Sequence, residues 1–352
     1  MPTLPLHQPA AHPDAAHDVT SPGGYEWWYF DAEDPSNGRQ LVAILLNGFI
    51  FHPGYLRRHA RWRFWPTRFR PPLPQDHACA YFIVYKDGVI THQFMTQYPA
   101  AQLFARPDRP EVAVGPNHFR LDGDALELDL SGTPWVLTWQ GPKLIEHQTL
   151  YAAMRFTPRL SAPAQERIFL SQELTGAEHH WILANPLCDV RATIRCGDDS
   201  FEFKGQGYHD HNYGTAPIGP GLRRWLWGRV LFGDSVCTFH YVQPRNRAIP
   251  EEVHLVEADL LGMREIPVPS VSGEWSRRSG WMLKYPQQLD FSGALKLSNP
   301  VLIDSSPFYL RLIYDADFRG RQGRAFCELA YPHRLRWPVL GRMIEMSIDK
   351  RT

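Results

Sequence analysis

Gly207-Tyr208-His209-Asp210-His211-Asn212-Tyr213-Gly214 packs a carboxyl, two imidazoles, a carboxamide and two phenols between two glycines. Groups this polar, bracketed by points of backbone freedom, fit badly into an ordinary apolar core. Just downstream, Arg224-Trp225-Leu226-Trp227-Gly228-Arg229 brings indole rings next to the ionisable cluster. A carboxyl walled by indoles and cut off from water holds its proton more tightly, which makes Asp210 a candidate general acid. Residues two apart on a strand share a face, so Tyr208 accompanies Asp210 while His209 and His211 point the other way. The plainer alternative is a polar corner, with Asp210 and Asn212 capping turn amides.

Glu178-His179-His180-Trp181 is the second constellation. On a strand His179 and Trp181 share a face, where an imidazole can activate water and an indole can stabilise a cation. The alternative is a barrel-rim strand with a hydrogen-bonded histidine. His209 and His211 form an H-x-H pair that could bind zinc or iron together with His179, His180 or Asp210. That spacing is a weak signal and fixes no third ligand, so no metal is assigned. No G-x-S-x-G elbow, G-x-G-x-x-G turn or P-loop occurs, which leaves Ser-His-Asp catalysis and nucleotide cofactors without support.

The elements that must hold these groups are short. Tyr81–Tyr85 and Val89–Met95 flank Lys86-Asp87-Gly88 as a hairpin, and Ala125–Leu130 alternates cleanly after Asp122-Gly123-Asp124. Helical periodicity is scarce and 31 prolines punctuate the 352 residues. An all-β fold follows, either a barrel or a sandwich pair, with the domain junction placed near residue 190. That leaves residues 1–22 as a disordered tail, 23–190 as one domain and 191–352 as another.

Lys plus Arg and Asp plus Glu both number 37, a balance that argues against a nucleic-acid partner. The 12 tryptophans suit broad sheets or an apolar ligand cavity. Five cysteines without a C-x-x-C pair fit reduced thiols and a cytoplasmic protein. Met1–Thr20 has no apolar signal region and no window is long enough to span a bilayer. Residues 54–72 interleave arginines with Trp62, Phe64, Trp65 and Phe69. Three readings stay open there: a peripheral membrane contact, a single-strand nucleic-acid platform, or a solvated loop folded back on the barrel.

Gly23-Gly24-Tyr25-Glu26-Trp27-Trp28-Tyr29-Phe30-Asp31-Ala32 resembles the N-terminal signature of the carotenoid 1,2-hydratase (hydroxyneurosporene synthase) family. The resemblance continues through Ala177–Trp181, Gly207–Gly214 and Trp225–Arg229 to Phe326–Leu329. That family is similar to a wider group of tandem lipocalin-like proteins, which includes plant-toxin hydratases and fungal Diels–Alderases. The resemblance implies two lipocalin-like β-domains, a cleft between or within them, and no metal or organic cofactor. It also implies that the His-x-Trp and Tyr-x-Asp pairs, here His179 with Trp181 and Tyr208 with Asp210, are the functional residues. Thr215-Ala216-Pro217 stands where the hydratases carry an acidic Glu-Pro segment, and Glu26 is typical of the wider group.

The expected activity is a hydro-lyase acting on a terminal C=C bond of a lipophilic, isoprenoid or carotenoid-like substrate. Asp210 protonates the alkene, a tertiary cation forms beside Trp181 and Tyr208, and water held by His179 adds. Trp225 and Trp227 wall the pocket and Arg229 orients the carboxyl. Asn212, Tyr213, His211, Trp27 and Trp28 complete the expected substrate contacts. Two alternatives are a cofactor-free cyclase or pericyclase and a binding protein that carries a lipophile without chemistry.

Overall fold

Alternation and turn chemistry become strands along the whole chain. The computed structural model describes residues 12–160, 165–170, 179–219, 221–336 and 338–351. Asp87-Gly88 closes the hairpin between Ala78–Lys86 and Val89–Tyr98 with φ of 51° and 78°, which suits a primed turn. A thirteen-stranded sheet takes most strands up to Gly214, and Asp349–Lys350 joins its edge in parallel with Val89–Tyr98. A nine-stranded sheet is built from strands between Leu222 and Ala330. The fold is all-β, with two curled lipocalin-like sheets.

Each sheet curls around its own apolar filling. Phe30, Phe82, Phe119 and Phe156 fill the first, and Leu226, Phe239, Phe291 and Leu312 fill the second. A third cluster lies between the sheets and includes Trp27, Tyr29, Trp181, Tyr208, Trp225 and Trp227. Strand alternation explains the split. Trp28 and Phe30 turn into the first lumen while Trp27 and Tyr29 turn out. Leu226 turns into the second lumen while Trp225 and Trp227 turn out. The two sheets therefore meet through their outer faces.

The expected junction at residue 190 falls inside the strand His179–Cys196. That strand and Asp199–Gly214 belong to the first sheet, so the chain changes sheet between Gly214 and Leu222. The Asn185-Pro186 break reflects bulges, since the register shifts on both sides of Asn185 and the strand then continues.

Residues 1–11 of the expected tail, Glu178 of the second constellation and Ala177 of the stretch that carries the resemblance lie outside the described residues. Residues 12–22 pack onto the first sheet rather than trailing from it. Ala16 N donates to Arg106 O at 2.9 Å, and Trp28 Nε1 donates to Asp14 O at 3.2 Å. The Asp14 carboxylate, 1% exposed, meets His209 Nε2 at 3.0 Å. His209 Nδ1 faces Tyr29 O at 2.9 Å, so acceptors surround both ring nitrogens and the imidazolium is favoured. Burial by itself would lower the His209 pKa, but Asp14 outweighs it and holds it above 6.5. The pair's contribution is full below that ordinary value and is lost as pH rises through the higher folded one. Asp14→Asn should cost about 3 kcal/mol in denaturant unfolding at mildly acidic pH, and clearly less at alkaline pH.

Pro53–Phe64 is a helix, in a stretch that sequence alone leaves as loop or interfacial segment. His52 Nδ1 accepts from Gly54 N at 3.0 Å and Tyr55 N at 3.3 Å, and Pro53 opens the first turn. A second helix runs Pro338–Met346. No described helix is long and apolar enough to cross a membrane.

Candidate active site

The strand Asp199–Gly214 lies between Tyr25–Asp34 and His179–Cys196. Its register sets Tyr29 opposite Asp210 and Trp27 opposite Asn212 on one side, and Trp181 opposite Asn212 on the other. Gly207 is not a turn residue. A Cβ there would come 2.6 Å from Asp31 O, so glycine allows two backbones to approach.

Three donors converge on the Asp210 carboxyl. Tyr208 Oη donates to Oδ2 at 2.7 Å, Trp181 Nε1 donates to Oδ2 at 2.9 Å, and Asn212 Nδ2 donates to Oδ1 at 2.8 Å. Burial pushes the Asp210 pKa from 3.8 up to about 7, and the donors, which favour the carboxylate, offset only part of that rise. Both lone pairs of Oδ2 are engaged, so the proton of the neutral acid belongs on Oδ1. The polar-corner alternative does not hold, because both groups sit mid-strand and bond each other.

Asp210 opens onto a cavity of about 280 Å³ between the two sheets. The wall around it is apolar and aromatic: Trp27, Tyr29, Trp225 and Trp227 line it along with Asn212. Tyr208, Trp181 and His179 stand one layer behind. Tyr208 and Trp181 act on the carboxyl. The His179 ring stacks on Trp27 at 5.3 Å, and its Nδ1 lies 2.8 Å from Tyr25 Oη. Burial drives the His179 pKa down to about 3, with His180 adding to the effect, so this imidazole stays neutral.

Alternation sends the other expected contacts to the lumen side. Trp28 stacks on His211 at 4.6 Å, His211 Nε2 lies 2.9 Å from Glu26 Oε1, and Tyr213 stacks between His17 and His180. None of Trp28, His211 and Tyr213 reaches the cavity. Arg229 faces the interface but does not orient Asp210. Its Nε donates to Asp31 Oδ1 at 2.8 Å and its Nη1 to Glu33 Oε2 at 2.7 Å, because Arg229 lies one strand step beyond Trp227. With no guanidinium on Asp210, burial decides its pKa.

The metal set suggested by H-x-H is not assembled among the described residues: His179 and Asp210 lie across the sheet from His209 and His211, and His180, on the same side as His211, stacks on Tyr213 instead. Among the described residues a different trio, His17, Glu26 and His211, brings its ligand atoms within 4.8 Å of one another. These three already bond each other: Glu26 Oε1 lies 3.2 Å from His17 Nδ1 and 2.9 Å from His211 Nε2.

Tyr29, His240, Arg311 and Glu328 also line the cavity, and the sequence does not single them out. Tyr29 follows Trp27 by two residues, and period-two alternation alone could have found it. His240 pairs across strands with Trp227, accepts from Trp225 Nε1 at 2.9 Å through Nδ1, and packs against Trp181 at 4.3 Å. Burial pulls its pKa well below the ordinary histidine value. Arg311 donates to Glu328 Oε1 at 2.9 Å and to Tyr81 and Tyr85 Oη at 2.8 Å, while Tyr29 Oη donates to Glu328 at 3.2 Å. No local motif announces Arg311 or Glu328.

Fold and site together define a class: a tandem lipocalin-like protein with the buried Asp210 carboxyl, raised to about 7, facing a largely apolar cavity between its sheets. The carotenoid hydratase CrtC model matches residues 48–352, and the chain belongs to that family. It is 28% identical over 310 residues to a protein named hydroxyneurosporene dehydrogenase from Chlorobaculum tepidum, a match covering 84% of this chain and 78% of that one. It is 29% identical over 338 residues to an acyclic carotenoid 1,2-hydratase from Thiocapsa roseopersicina, covering 94% and 74%. The crystal structure of NE1406 from Nitrosomonas europaea, an AttH candidate, matches with a TM-score of 0.60 and 15% identity over 94% of this chain and 98% of that chain. That last likeness concerns the fold. By family the protein is a hydratase, with a cavity suited to a lipophilic substrate.

Proposed function

We propose that the protein adds water to a terminal C=C bond of an acyclic, carotenoid-like isoprenoid, with Asp210 as the acid. The observation that carries this reading is a buried carboxyl, titrating at about 7, that faces a cavity lined by indoles. The Oδ1 proton passes to the less substituted alkene carbon, which forms a C–H bond and leaves a tertiary cation. Trp27, Trp225 and Trp227 each lower the cation's energy by about 0.5–2 kcal/mol through their π faces. Water adds to the cation, forming the C–O bond, and the resulting oxonium returns a proton to the Asp210 carboxylate. The sum is one water added per double bond.

The oxonium is a strong acid, so the water needs to be oriented more than deprotonated. His179 therefore serves as a positioning residue, holding Trp27 and Asn212 rather than touching the water. A substrate of this kind partitions into bilayers, so the reading includes a peripheral contact between residues 54–72 and a membrane.

Incubation with an acyclic carotenoid in heavy-oxygen water tests the reaction. The expected product is a tertiary alcohol carrying the heavy oxygen. An unlabelled isomer would instead identify a cyclase, and unchanged substrate a carrier.

A further inference from the structure

We propose that the helix Pro53–Phe64, the hairpin Trp135–Leu144 and the helix Pro338–Met346 form one face that docks on an anionic lipid bilayer around the cavity mouth. The inference rests on the reading of a bilayer-soluble substrate.

These elements are contiguous. Arg57 Nη2 reaches Glu345 Oε1 at 2.6 Å and ties the two helices together. Gly141 of the hairpin abuts the second helix, since a Cβ there would lie 3.3 Å from Met346 Cε. The same elements supply cavity wall: Phe51 just before the first helix, Leu137 and Pro142 from the hairpin, and Ile344 from the second helix. Leu137 is 65% exposed as well, so it marks the rim.

The outer side of this rim carries large apolar groups that a water-facing surface does not need. Trp139 at the hairpin tip is 92% exposed, Phe64 73%, Met346 51% and Trp65 50%. Scattered singly, such residues need no explanation; here Trp139 and Met346 stand beside the cavity-lining Leu137, Pro142 and Ile344, and Phe64 and Trp65 end the helix that Arg57 ties to Glu345, so together they mark a contact surface. Charge then selects the partner. Arg58, Arg61, Arg63, Arg68 and Arg70 are exposed, and residues 54–72 contain no acidic side chain. Arginines beside exposed tryptophans suit the headgroup layer of an anionic membrane, with the indoles at the polar–apolar boundary. Docked in this way, the cavity opens toward the bilayer and a lipophile enters without crossing water.

Co-sedimentation of the full chain with vesicles tests the face. Phosphatidylglycerol-rich vesicles should bind it, phosphatidylcholine vesicles much less, and added salt should release it. Replacing Arg61, Arg63 and Arg68 together by Glu should weaken partitioning by about a hundredfold, at about fivefold for each arginine lost. Trp139→Ala with Phe64→Ala should weaken it further. Both variants should keep wild-type turnover of detergent-dispersed substrate and lose turnover of vesicle-embedded substrate. No binding to anionic vesicles, equal binding by the variants, or binding to a single-stranded RNA oligomer in place of vesicles overturns the proposal. Wild-type vesicle binding that the variants lose, with no turnover in detergent, supports the docking face and removes the hydration reading instead.

Discussion

Asp210→Asn is expected to lower hydration by about a thousandfold or more, the scale of a lost general acid, while the protein stays folded. The substitution is close to isosteric with the neutral acid. The amide oxygen can occupy the Oδ2 position and keep the Tyr208 and Trp181 bonds, and the amide nitrogen takes the place of the protonated Oδ1. Only the Asn212 contact becomes donor against donor, and rotation of the Asn212 amide relieves it. The pH dependence carries a definite sign. The folded carboxyl binds its proton up to about 7, against 3.8 in the unfolded chain. Wild-type stability is therefore greatest below 3.8 on this account and falls as pH rises toward 7, by about 4 kcal/mol in all. The Asn variant escapes that fall, so it should match wild type in acid and unfold later than wild type in alkali. Turnover needs the protonated form, so the wild-type rate should be flat below about 7 and drop roughly tenfold per pH unit above it. Undiminished turnover in the Asn variant, or a rate indifferent to pH across this range, would remove Asp210 from the chemistry.

Much of this site is legible in the sequence through a single rule. Period-two alternation separates Tyr208 and Asp210 from His209 and His211, and the structure keeps that separation across the sheet. What alternation cannot say is which face meets the lumen and which meets the other sheet. Trp27 and Trp28 are neighbours of one type, yet Trp27 lines the cavity and Trp28 fills the first barrel. The choice is made by strands far away in the chain, such as Leu222–Leu231, which bring Trp225 and Trp227 against Trp27 and Tyr29. The packing of residues 12–22, which buries Asp14, Ala15, Ala16 and Val19, escapes the sequence for a similar reason. A stretch rich in Pro, Ala and Asp lacks a core pattern, and the distant His209 and His211 are what make Asp14 worth burying. The helix Pro53–Phe64 escaped because it buries only Pro53 and Tyr55, so little apolar periodicity shows.

Placing the cavity between outer faces also changes what holds it open. Both lumens are packed with their own side chains, so the space near Asp210 exists only while the two sheets stay docked. Polar ties across that interface therefore matter to the site without touching substrate. Tyr29 to Glu328 is one such tie, Tyr85 to Asp304 at 3.1 Å is another, and Arg229 to Asp31 and Glu33 is the most buried.

Arg229→Met should destabilise the protein by about 3–5 kcal/mol, the cost of leaving a buried charge without its partner. Arg229 is fully buried and its guanidinium also lies 5.4 Å from the Phe326 ring centroid, so water cannot replace what it gives to Asp31. Burial already lifts the Asp31 carboxyl above its ordinary value, with Arg229 pulling the other way. Without the guanidinium, Asp31 should rise further and take up a proton on folding. The deficit should then be large at alkaline pH, where that proton is scarce, and smaller in acid. Adding Asp31→Asn and Glu33→Gln to Arg229→Met removes the orphaned charges and should recover most of the loss. Denaturant titrations of the single and triple variants measure both quantities. Because Arg229 bonds Asp31 and Glu33 instead of Asp210, the triple variant should keep the wild-type alkaline limb of the rate profile. A limb displaced in the triple variant, or a single variant as stable as wild type at alkaline pH, would show that the interface charge is arranged differently.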